Sequence, residues 1–417
     1  MGPVLFDATR LLLRAPRAAP TGIDRVTLAY AHWLAGRADI ELRPVWGVGG
    51  ALTDISAGRF AALLASAMPH GSEGSAGPPS AAWPRLVDAL TATTEVPALR
   101  GRRAIAPTLK SALWFAGVGL RAPSLLAGAK TPPGSIYLNV SHFGLEQPGV
   151  LARLAGAGVR PIVMIHDLIP IRWPQYCAPG AAARHAERIR GALSHARLII
   201  VNSQATADEL HAYAGEAALP APETCIAPLG LSTGFLSPGA PLEAGRPYFL
   251  AIGTIEPRKN LAFLLTLWAR LAERRGAQTP RLVIVGRRGW EYEAVVDHLE
   301  RSPAVLRFVH EVADLRDGEL GSLVGGARAL LAPSLAEGFD LAALEALALG
   351  TPVIASDIAA HRELAIGARL VDPLDGPGWL AAIEDALAAP TAAVAFRAPT
   401  WAAHFEQVGR AIARRAG

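Results

Sequence analysis

Short apolar runs rich in β-branched residues alternate along the chain with longer stretches rich in alanine and leucine. The runs are continuous rather than alternating, which is typical of parallel strands buried on both faces of a sheet. The pattern therefore predicts an α/β protein with doubly wound parallel sheets. Strands are predicted at residues 3–6, 161–165, 197–201, 248–252 and 282–285, and helices at 23–34, 205–213 and 261–271.

The length of 417 residues predicts two or three domains. A stretch rich in turn formers, LSPGAPLEAGRP at residues 236–247, is interpreted as an interdomain linker. We therefore predict a first domain at residues 1–240, a second domain at 241–395, and a final helix at 396–417 that crosses back to the first domain. The Gly-, Ser- and Pro-rich sequence of residues 70–82, HGSEGSAGPPSAA, predicts a surface loop within the first domain.

Targeting features are few in the sequence. The best candidate for a membrane span, residues 104–120, is interrupted by Lys110 and falls short of the about 18 uncharged residues required. Asp7 lies where a signal peptide would be apolar, so the sequence predicts a cytoplasmic protein. Cys177 and Cys225 have neither metal-ligand nor CxxC spacing and are expected to be reduced thiols.

The formal net charge is +4, and the positive excess lies in the first 240 residues. Residues 100–121 combine five basic residues with Trp114 and Phe115. Such a segment suits the anionic cytoplasmic face of the inner membrane, and an amphipathic helix packed on the core is the alternative. There is no GxGxxG after a strand, no phosphate-binding GxxxxGK[ST] loop and no DxD metal motif. We predict no metal and no nucleic-acid partner.

The sharpest chemical signal is an acidic pair in ALLAPSLAEGFDLAALEALALGTPVIASD. This segment predicts a strand at 329–333, a loop, a helix at 341–349 and a strand at 352–355. Glu345 is the only polar side chain of that helix, so it needs a partner from the protein or from ligand hydroxyls such as a ribose diol. Glu337 precedes the helix, beside amides that favour a phosphate. These amides belong to Phe339, Asp340 and Leu341.

The segment resembles the E-x7-E signature of the retaining glycosyltransferases of family 4, whose GT-B fold has two Rossmann-like domains facing each other across a cleft. The resemblance extends to the HREL at residues 361–364. It implies that Glu337 contacts hydroxyls of the donor sugar and that Glu345 binds the ribose. The family usually has Gly and Pro where this chain has Asp340 and Ala342, which leaves the preferred sugar open. The donor-binding residues of this loop are then Gly338, Phe339, Asp340 and Leu341.

A basic turn follows a buried strand in AIGTIEPRKNLAFLL. Arg258 and Lys259 lie at the carboxyl edge of the predicted sheet, where α/β folds bind ligands, and Asn260 suits the N-cap of the next helix. The turn resembles the diphosphate-binding turn of family 4. The resemblance implies that the two cations stabilise a departing nucleotide diphosphate without a metal. Many members have an arginine at the position of Thr254, so Arg258 is expected to take that role here.

The segment RFVHEVADLRDGELGSLVGGA resembles the part of family 4 that receives the nucleotide base. This implies base contacts from His310 and Val312. An ordinary surface histidine is the alternative interpretation of His310.

Two motifs in the first domain also match the family. In TGIDRVTLAYAHWL, the amides around Gly22 can approach a phosphate, and Arg25 is either an exposed charge or an acceptor contact. The motif IHDLIPI closely resembles bacterial mannosyltransferases of family 4, which implies that His166 lies beside the donor sugar and phosphate. Asp167 either holds this imidazole or binds the acceptor, and His142 in NVSHFGLE is placed on the acceptor side.

Together these features predict a retaining, metal-independent glycosyltransferase. Its catalytic residues would be His166, Arg258, Lys259 and Glu337, and its donor a nucleotide diphosphate sugar, with GDP-mannose favoured. By analogy with the family, the acceptor attacks the front face and the departing phosphate takes its proton. The expected acceptor is a bacterial surface glycan on a polyprenyl lipid. The alternatives are a nucleotide-sugar epimerase of the same fold and a sugar-nucleotide-binding protein without activity.

Overall fold

The computed structural model describes residues 2–14, 22–48, 51–66, 79–94, 96–101, 129–232, 235, 239–364, 367–388 and 396–416. The predicted loop at 70–82 and the basic segment at 100–121 lie largely outside these residues. Three residues of the predicted linker, 236–238, lie outside them as well.

In the described part of the chain, seven strands form the first sheet, in the order β3-β2-β1-β4-β5-β6-β7. Neighbouring strands are parallel except for the antiparallel pair β2 and β3 at one edge. All four side chains of β6, the sequence LIIV, are buried, as expected for a strand covered on both faces. The strands are β1 Val4–Asp7, β2 Leu42–Val48, β3 Ala51–Asp54, β4 Ile136–Asn139, β5 Arg160–Ile165, β6 Leu198–Val201 and β7 Thr224–Ile226.

Among the residues that the structure describes, six parallel strands form the second sheet, in the order β10-β9-β8-β11-β12-β13. From β8 the chain first adds β9 and β10 on one side of the sheet and then β11, β12 and β13 on the other side. The change of direction between β8 and β11 opens a crevice at their carboxyl ends, where such sheets bind ligands. The strands are β8 Tyr248–Ile252, β9 Arg281–Val285, β10 Val309–Val312, β11 Leu330–Ala332, β12 Val353–Ser356 and β13 Ala368–Val371.

Helices connect the strands of both sheets. In the described part of the chain, no helix combines the length and the apolar character needed to cross a membrane. The first half contains α1 Thr9–Arg14, α2 Gly22–Ala35, α3 Ala57–Ser66, α4 Trp83–Thr91, α5 Val150–Gly156, α6 Ile169–Arg172, α7 Ala181–His195 and α8 Gln204–Glu216. The second half contains α9 Leu261–Arg275, α10 Glu293–Arg301, α11 Pro303–Phe308, α12 Asp317–Gly325, α13 Leu341–Ala348, α14 Ala359–Leu364, α15 Gly376–Ala388 and α16 Trp401–Ala416.

The final helix, α16, returns to the first sheet. Val408 and Ala411 are fully buried in the core formed by β1, β4 and α2. On the same helix, the His404 ring shares a hydrogen bond of 2.8 Å with the hydroxyl of Tyr30 on α2. The apolar face of α16 therefore packs on the first domain although the helix follows the second domain in the chain.

A segment from the first part of the chain packs in the opposite direction. Leu86 and Leu90 on α4 are fully buried in the core of the second sheet, together with Tyr248. The Arg281 guanidinium on β9 donates hydrogen bonds to the carbonyl oxygens of Leu90, Ala92 and Thr94, at 2.8 to 3.2 Å. Residues 79–94 and 96–101, which we call the strap, therefore belong with the second domain. The prediction that residues 1–240 all belong to the first domain is therefore corrected for the strap.

Candidate active site

The basic turn lies directly after β8. Pro257–Lys259 form a short 3-10 turn, and the aliphatic part of the Lys259 side chain passes over Gly253. Gly253 has a φ of +143°, and a β-carbon there would lie 2.9 Å from Lys259 Cε. A glycine is therefore required for the ammonium group to reach this position. Asn260 does not cap α9 as predicted: its φ is 54°, and its side chain donates to the carbonyl oxygen of Pro373 at 3.1 Å.

Glu337 is held between the two cations of the turn. Its carboxylate lies 2.6 Å from Arg258 Nη1 and 2.5 Å from Lys259 Nζ, and only 6% of its side chain is exposed. Glu256 lies on the other side of the guanidinium, 2.5 Å from Arg258 Nε. The four side chains form a compact, charge-balanced cluster.

Arg258, Lys259 and Glu337 stay ionised despite their burial, whereas burial raises the pKa of Glu256. Burial alone would raise the pKa of Glu337, but the charges of Arg258 and Lys259 outweigh it and lower this pKa. Burial alone would lower the pKa of Lys259, but the attractions to Glu337 and Asp340 together outweigh that effect and raise this pKa. At neutral pH, therefore, two cations and a carboxylate lie side by side with little water to screen them.

Glu345 pairs with an arginine from the other domain. Arg25 on α2 donates from Nη1 to Glu345 Oε1 at 2.6 Å and from Nη2 to Asp317 Oδ1 at 3.1 Å. The Glu345 side chain is 5% exposed, and burial raises its pKa even though Arg25 acts in the opposite direction. The partner that the sequence required for Glu345 is thus, in this structure, a protein side chain.

Asp340 places a further negative charge at the start of α13. Its Oδ1 accepts from the amides of Ala342 and Ala343, at 3.1 and 3.3 Å, and its Oδ2 lies 3.2 Å from His361 Nε2. Although burial opposes it, Lys259 and His361 hold the pKa of Asp340 well below its usual range. This helix N-terminus, which we expected to attract a phosphate, thus already carries a carboxylate cap.

Most of the predicted donor residues surround one cavity of about 310 Å³ between the two domains. The cavity lies beside the carboxyl ends of β8 and β9, at the crevice described above. Arg25, predicted as an acceptor contact, lies here among the donor residues. The predicted residues that line the cavity are Gly22, Arg25, Thr254, Arg258, Lys259, Glu337, Phe339, Asp340, Leu341 and Glu345.

Gly338 joins the acidic loop to the first domain. A β-carbon at this position would lie 2.2 Å from the carbonyl oxygen of His166, so the two backbones are in close contact. The Gly338 carbonyl oxygen accepts from the hydroxyls of Ser203, at 2.7 Å, and of Thr206, at 3.4 Å. The loop that carries Glu337 is therefore fixed against the ends of β5 and β6.

The predicted residues around His166 lie behind this loop and do not line the cavity of about 310 Å³. His166 Nε2 donates to the carbonyl oxygen of Val140 at 2.8 Å, and the His142 ring lies 4.9 Å away. Burial lowers the pKa of both histidines, which keeps the imidazoles neutral. Asp167 accepts from the amide of Ile169 at 3.0 Å, so this carboxylate supports the turn after β5 rather than the imidazole.

The predicted base contacts are not at the cavity. His310 is 0% exposed within β10, and its Nδ1 accepts from the amide of Leu99 on the strap at 3.2 Å. The strap covers this edge strand, so the His310 side chain cannot reach a ligand, and it is not a surface histidine either. Val312 lines an adjoining cavity of about 440 Å³, beside Arg288 and Glu311. This cavity shares Gly286, Arg287 and Asp314 with the cavity of about 310 Å³.

Several residues of the site were missed. Glu256 follows Ile255 in the quoted basic-turn segment, and an acid two positions before an arginine could have drawn attention to it. Asp317 gave no such signal, because its contact with Arg25 joins positions 292 residues apart. Ser203 gave no such signal either, because its contact with Gly338 joins positions 135 residues apart.

Sequence comparison places this chain near known mannosyltransferases. Residues 246–389, which include all second-domain residues of the cavity, match the family described as glycosyl transferases group 1. Serotype-specific mannosyltransferase WbdA of Escherichia coli is 28% identical over 240 residues, covering 54% of this chain and 29% of WbdA. O-antigen chain mannosyltransferase B of Escherichia coli is 30% identical over 228 residues, covering 52% of this chain and 58% of that protein. The chain therefore spans less than two thirds of these relatives.

Solved structures show the fold over the whole chain. Anabaena HepE in complex with UDP-glucose has a TM-score of 0.62 at 16% identity, covering 99% of this chain and 100% of HepE. Sucrose-phosphate synthase from Thermosynechococcus elongatus has a TM-score of 0.61 at 18% identity, covering 99% of both chains. The prediction of a GT-B fold with two parallel-sheet α/β domains is confirmed.

Proposed function

We propose that this chain transfers a hexosyl group, with mannosyl as the first choice, from a nucleotide diphosphate sugar to a glycan acceptor. The observation that carries the proposal is the interdomain cavity, where Arg258, Lys259, Glu337 and Glu345 meet although they come from two distant segments. The similarity to O-antigen mannosyltransferases supports GDP-mannose as the donor and surface polysaccharide as the product class.

The chemistry of the cavity fits the departure of a diphosphate. Negative charge develops on the phosphate oxygen as the bond to the anomeric carbon breaks. Arg258 and Lys259 are already oriented by Glu256 and Glu337, so no reorganisation is needed at that moment. In this proposal the two cations stabilise the leaving group without an added metal, and Glu337 accepts hydrogen bonds from the sugar hydroxyls.

Transfer would retain the anomeric configuration. The acceptor hydroxyl attacks the anomeric carbon from the side on which the phosphate leaves. The new glycosidic bond forms as the old one breaks, and the departing phosphate oxygen takes the acceptor proton. The neutral His166 lies behind the Glu337 loop, where it supports the sugar subsite through its backbone contact with Gly338.

The acceptor is proposed to be a growing glycan on a polyprenyl lipid. The enzyme would then work at the cytoplasmic face of the inner membrane, with residues 100–121 as the candidate contact. Asp167 and His142, near the carboxyl edge of the first sheet, remain the predicted acceptor-side residues.

The test is to incubate the full chain with GDP-mannose, UDP-glucose and dTDP-glucose, each with and without a lipid-linked mannan acceptor, and to analyse products by mass spectrometry. We expect GDP release and acceptor extension with GDP-mannose, unchanged by a chelator, and an α-linked product by NMR. Epimer formation from donor alone would instead identify an epimerase. Nucleotide binding without turnover under any condition would contradict catalysis.

A further inference from the structure

Among the described residues of the first domain, Arg25 is the cation that reaches the cavity. Its guanidinium crosses from α2 to contact Glu345 on α13 and Asp317 at the start of α12, and its side chain is 25% exposed. One positive charge is therefore shared between two carboxylates. The opposite wall of the same cavity carries Arg258 and Lys259.

The two partners of Arg25 differ in how well they tolerate its loss. Asp317 is the first residue of α12, where the helix dipole stabilises a negative charge, and its Oδ2 is 3.4 Å from the Ser232 hydroxyl. Glu345 lies in the middle of α13 and is nearly fully buried, and Arg25 is the donor that the described part of the chain gives it. Removing Arg25 would therefore leave Glu345, but not Asp317, as a buried charge without a partner.

A nucleoside diphosphate can replace both ends of this contact at once. Its ribose hydroxyls can donate to Glu345, and its phosphate oxygens can accept from the guanidinium, whose planar fork matches a phosphate better than an ammonium does. A ligand with phosphate alone would leave Glu345 unsatisfied, whereas a ligand with ribose alone would leave Arg25 to its contact with Asp317.

We propose that Arg25 exchanges partners when the donor binds. Its guanidinium moves from Asp317 and Glu345 to the diphosphate of the donor, and the ribose hydroxyls replace it as the hydrogen-bond donors to Glu345. This inference rests on the proposed function and assigns Arg25 to the donor rather than the acceptor. It also makes Asp317 a competitor that holds Arg25 away from the phosphate.

The test is calorimetric titration of the full chain with whichever of GDP, UDP and dTDP the wild type binds most tightly, and competition with the matching nucleoside. Arg25→Ala should weaken diphosphate binding about tenfold or more and should not weaken nucleoside binding, because the ribose then has no Arg25 to displace from Glu345. Arg25→Lys, which keeps the charge and guards against a folding defect, should show an intermediate loss. Asp317→Asn should tighten diphosphate binding about threefold, because it removes the negative charge that competes with the diphosphate for Arg25.

The variants separate this inference from the proposed function. If the wild type binds none of the three nucleotides, the proposed function fails and the inference with it. If the wild type binds one of them and Arg25→Ala binds it equally well, only the partner exchange is wrong. A loss in Asp317→Asn as large as that in Arg25→Ala would show that the Arg25–Asp317 pair merely holds the domains together, which also overturns the inference.

Discussion

The hydroxyl of Ser203 in the first domain donates a hydrogen bond of 2.7 Å to the carbonyl oxygen of Gly338 in the second domain. The same glycine lies so close to the His166 backbone that a β-carbon would be 2.2 Å from its carbonyl oxygen. Because Glu337 precedes Gly338, these contacts fix the acidic loop relative to both sheets. The geometry of the cavity therefore depends on a residue without a side chain.

Substitution of Gly338 tests this dependence. In Gly338→Ala the loop must move away from His166, and a displacement of about 1 Å at a catalytic group can cost about a hundredfold in rate. We expect kcat to fall at least tenfold and the free energy of unfolding to fall by about 1–3 kcal/mol. Transfer assays and denaturant unfolding measure the two effects.

The control is Gly215→Ala on α8, where a β-carbon would meet no atom within 4 Å. It should keep full activity and stay the same or gain up to about 1 kcal/mol of stability. Wild-type activity in Gly338→Ala would mean that the loop position is not critical.

The acidic pair and the basic turn could be predicted from sequence because each is a local pattern of polar residues on a strand, turn or helix. The structure brings both to one cavity, as parallel strands with their carboxyl ends at one edge require. Arg25 could not be assigned in this way. Its partners, Glu345 and Asp317, depend on how the two domains face each other, and the sequence pattern around Arg25 carries no information about that arrangement.

The ion pairs of Glu337 give opposite expectations for two variants. Lys259→Met removes a cation that would stabilise the leaving diphosphate, so both donor affinity and kcat should fall, kcat by about a hundredfold to a thousandfold. Glu337→Gln should lower kcat by at least about a hundredfold through loss of the sugar contact. Its donor affinity should be largely maintained, because both cations that face the diphosphate are kept.

Steady-state transfer rates and calorimetric donor titrations distinguish the two variants. Arg270→Ala, at an exposed ion pair on α9 with both side chains 63% exposed, is the matched control and should behave as wild type. Near-normal turnover in both Lys259→Met and Glu337→Gln would exclude this cluster as the catalytic centre.

The buried pair of Asp340 and His361 predicts a pH-dependent stability. Burial alone would lower the pKa of His361, but Asp340 and then Glu337 outweigh it and raise this pKa. The pair therefore stabilises the fold fully below the ordinary histidine pKa of about 6.5, and this contribution is lost as the pH rises through the higher folded-state value. On the acid side the pair is lost only when Asp340 is protonated. Because the pKa of Asp340 is lowered, this happens at a pH well below the range in which His361 titrates.

The measurement is denaturant unfolding of wild type and His361→Gln between about pH 6 and about pH 9. The stability advantage of the wild type should be largest near the acid end of this range and should shrink toward the alkaline end. Lys259 also attracts Asp340 and stays charged over this range. The advantage of the wild type over His361→Gln should therefore level off at alkaline pH and should not change sign. A difference between the two proteins that stays constant over the range would show that the imidazole contributes only hydrogen bonds and packing.

The turn-rich linker could be located from the sequence but the strap could not be assigned, because α4 is an amphipathic helix like those that pack on the first sheet. Its place is decided by tertiary contacts: Leu86 is 0% exposed in the second core, and Arg281 donates hydrogen bonds to carbonyl oxygens in and just after the last turn of α4. The domain boundaries are therefore discontinuous along the chain.

Leu86→Ala tests the assignment of the strap. Removal of a fully buried leucine should lower the free energy of unfolding by about 2–5 kcal/mol, whereas Leu374→Ala, at a position 73% exposed, should change it by less than about 0.5 kcal/mol. Hydrogen exchange then locates the damage: amides of β8 and β9 should lose protection in Leu86→Ala, while those of β5 keep theirs. Loss of protection in β5 with β8 and β9 unaffected would place the strap with the first domain after all.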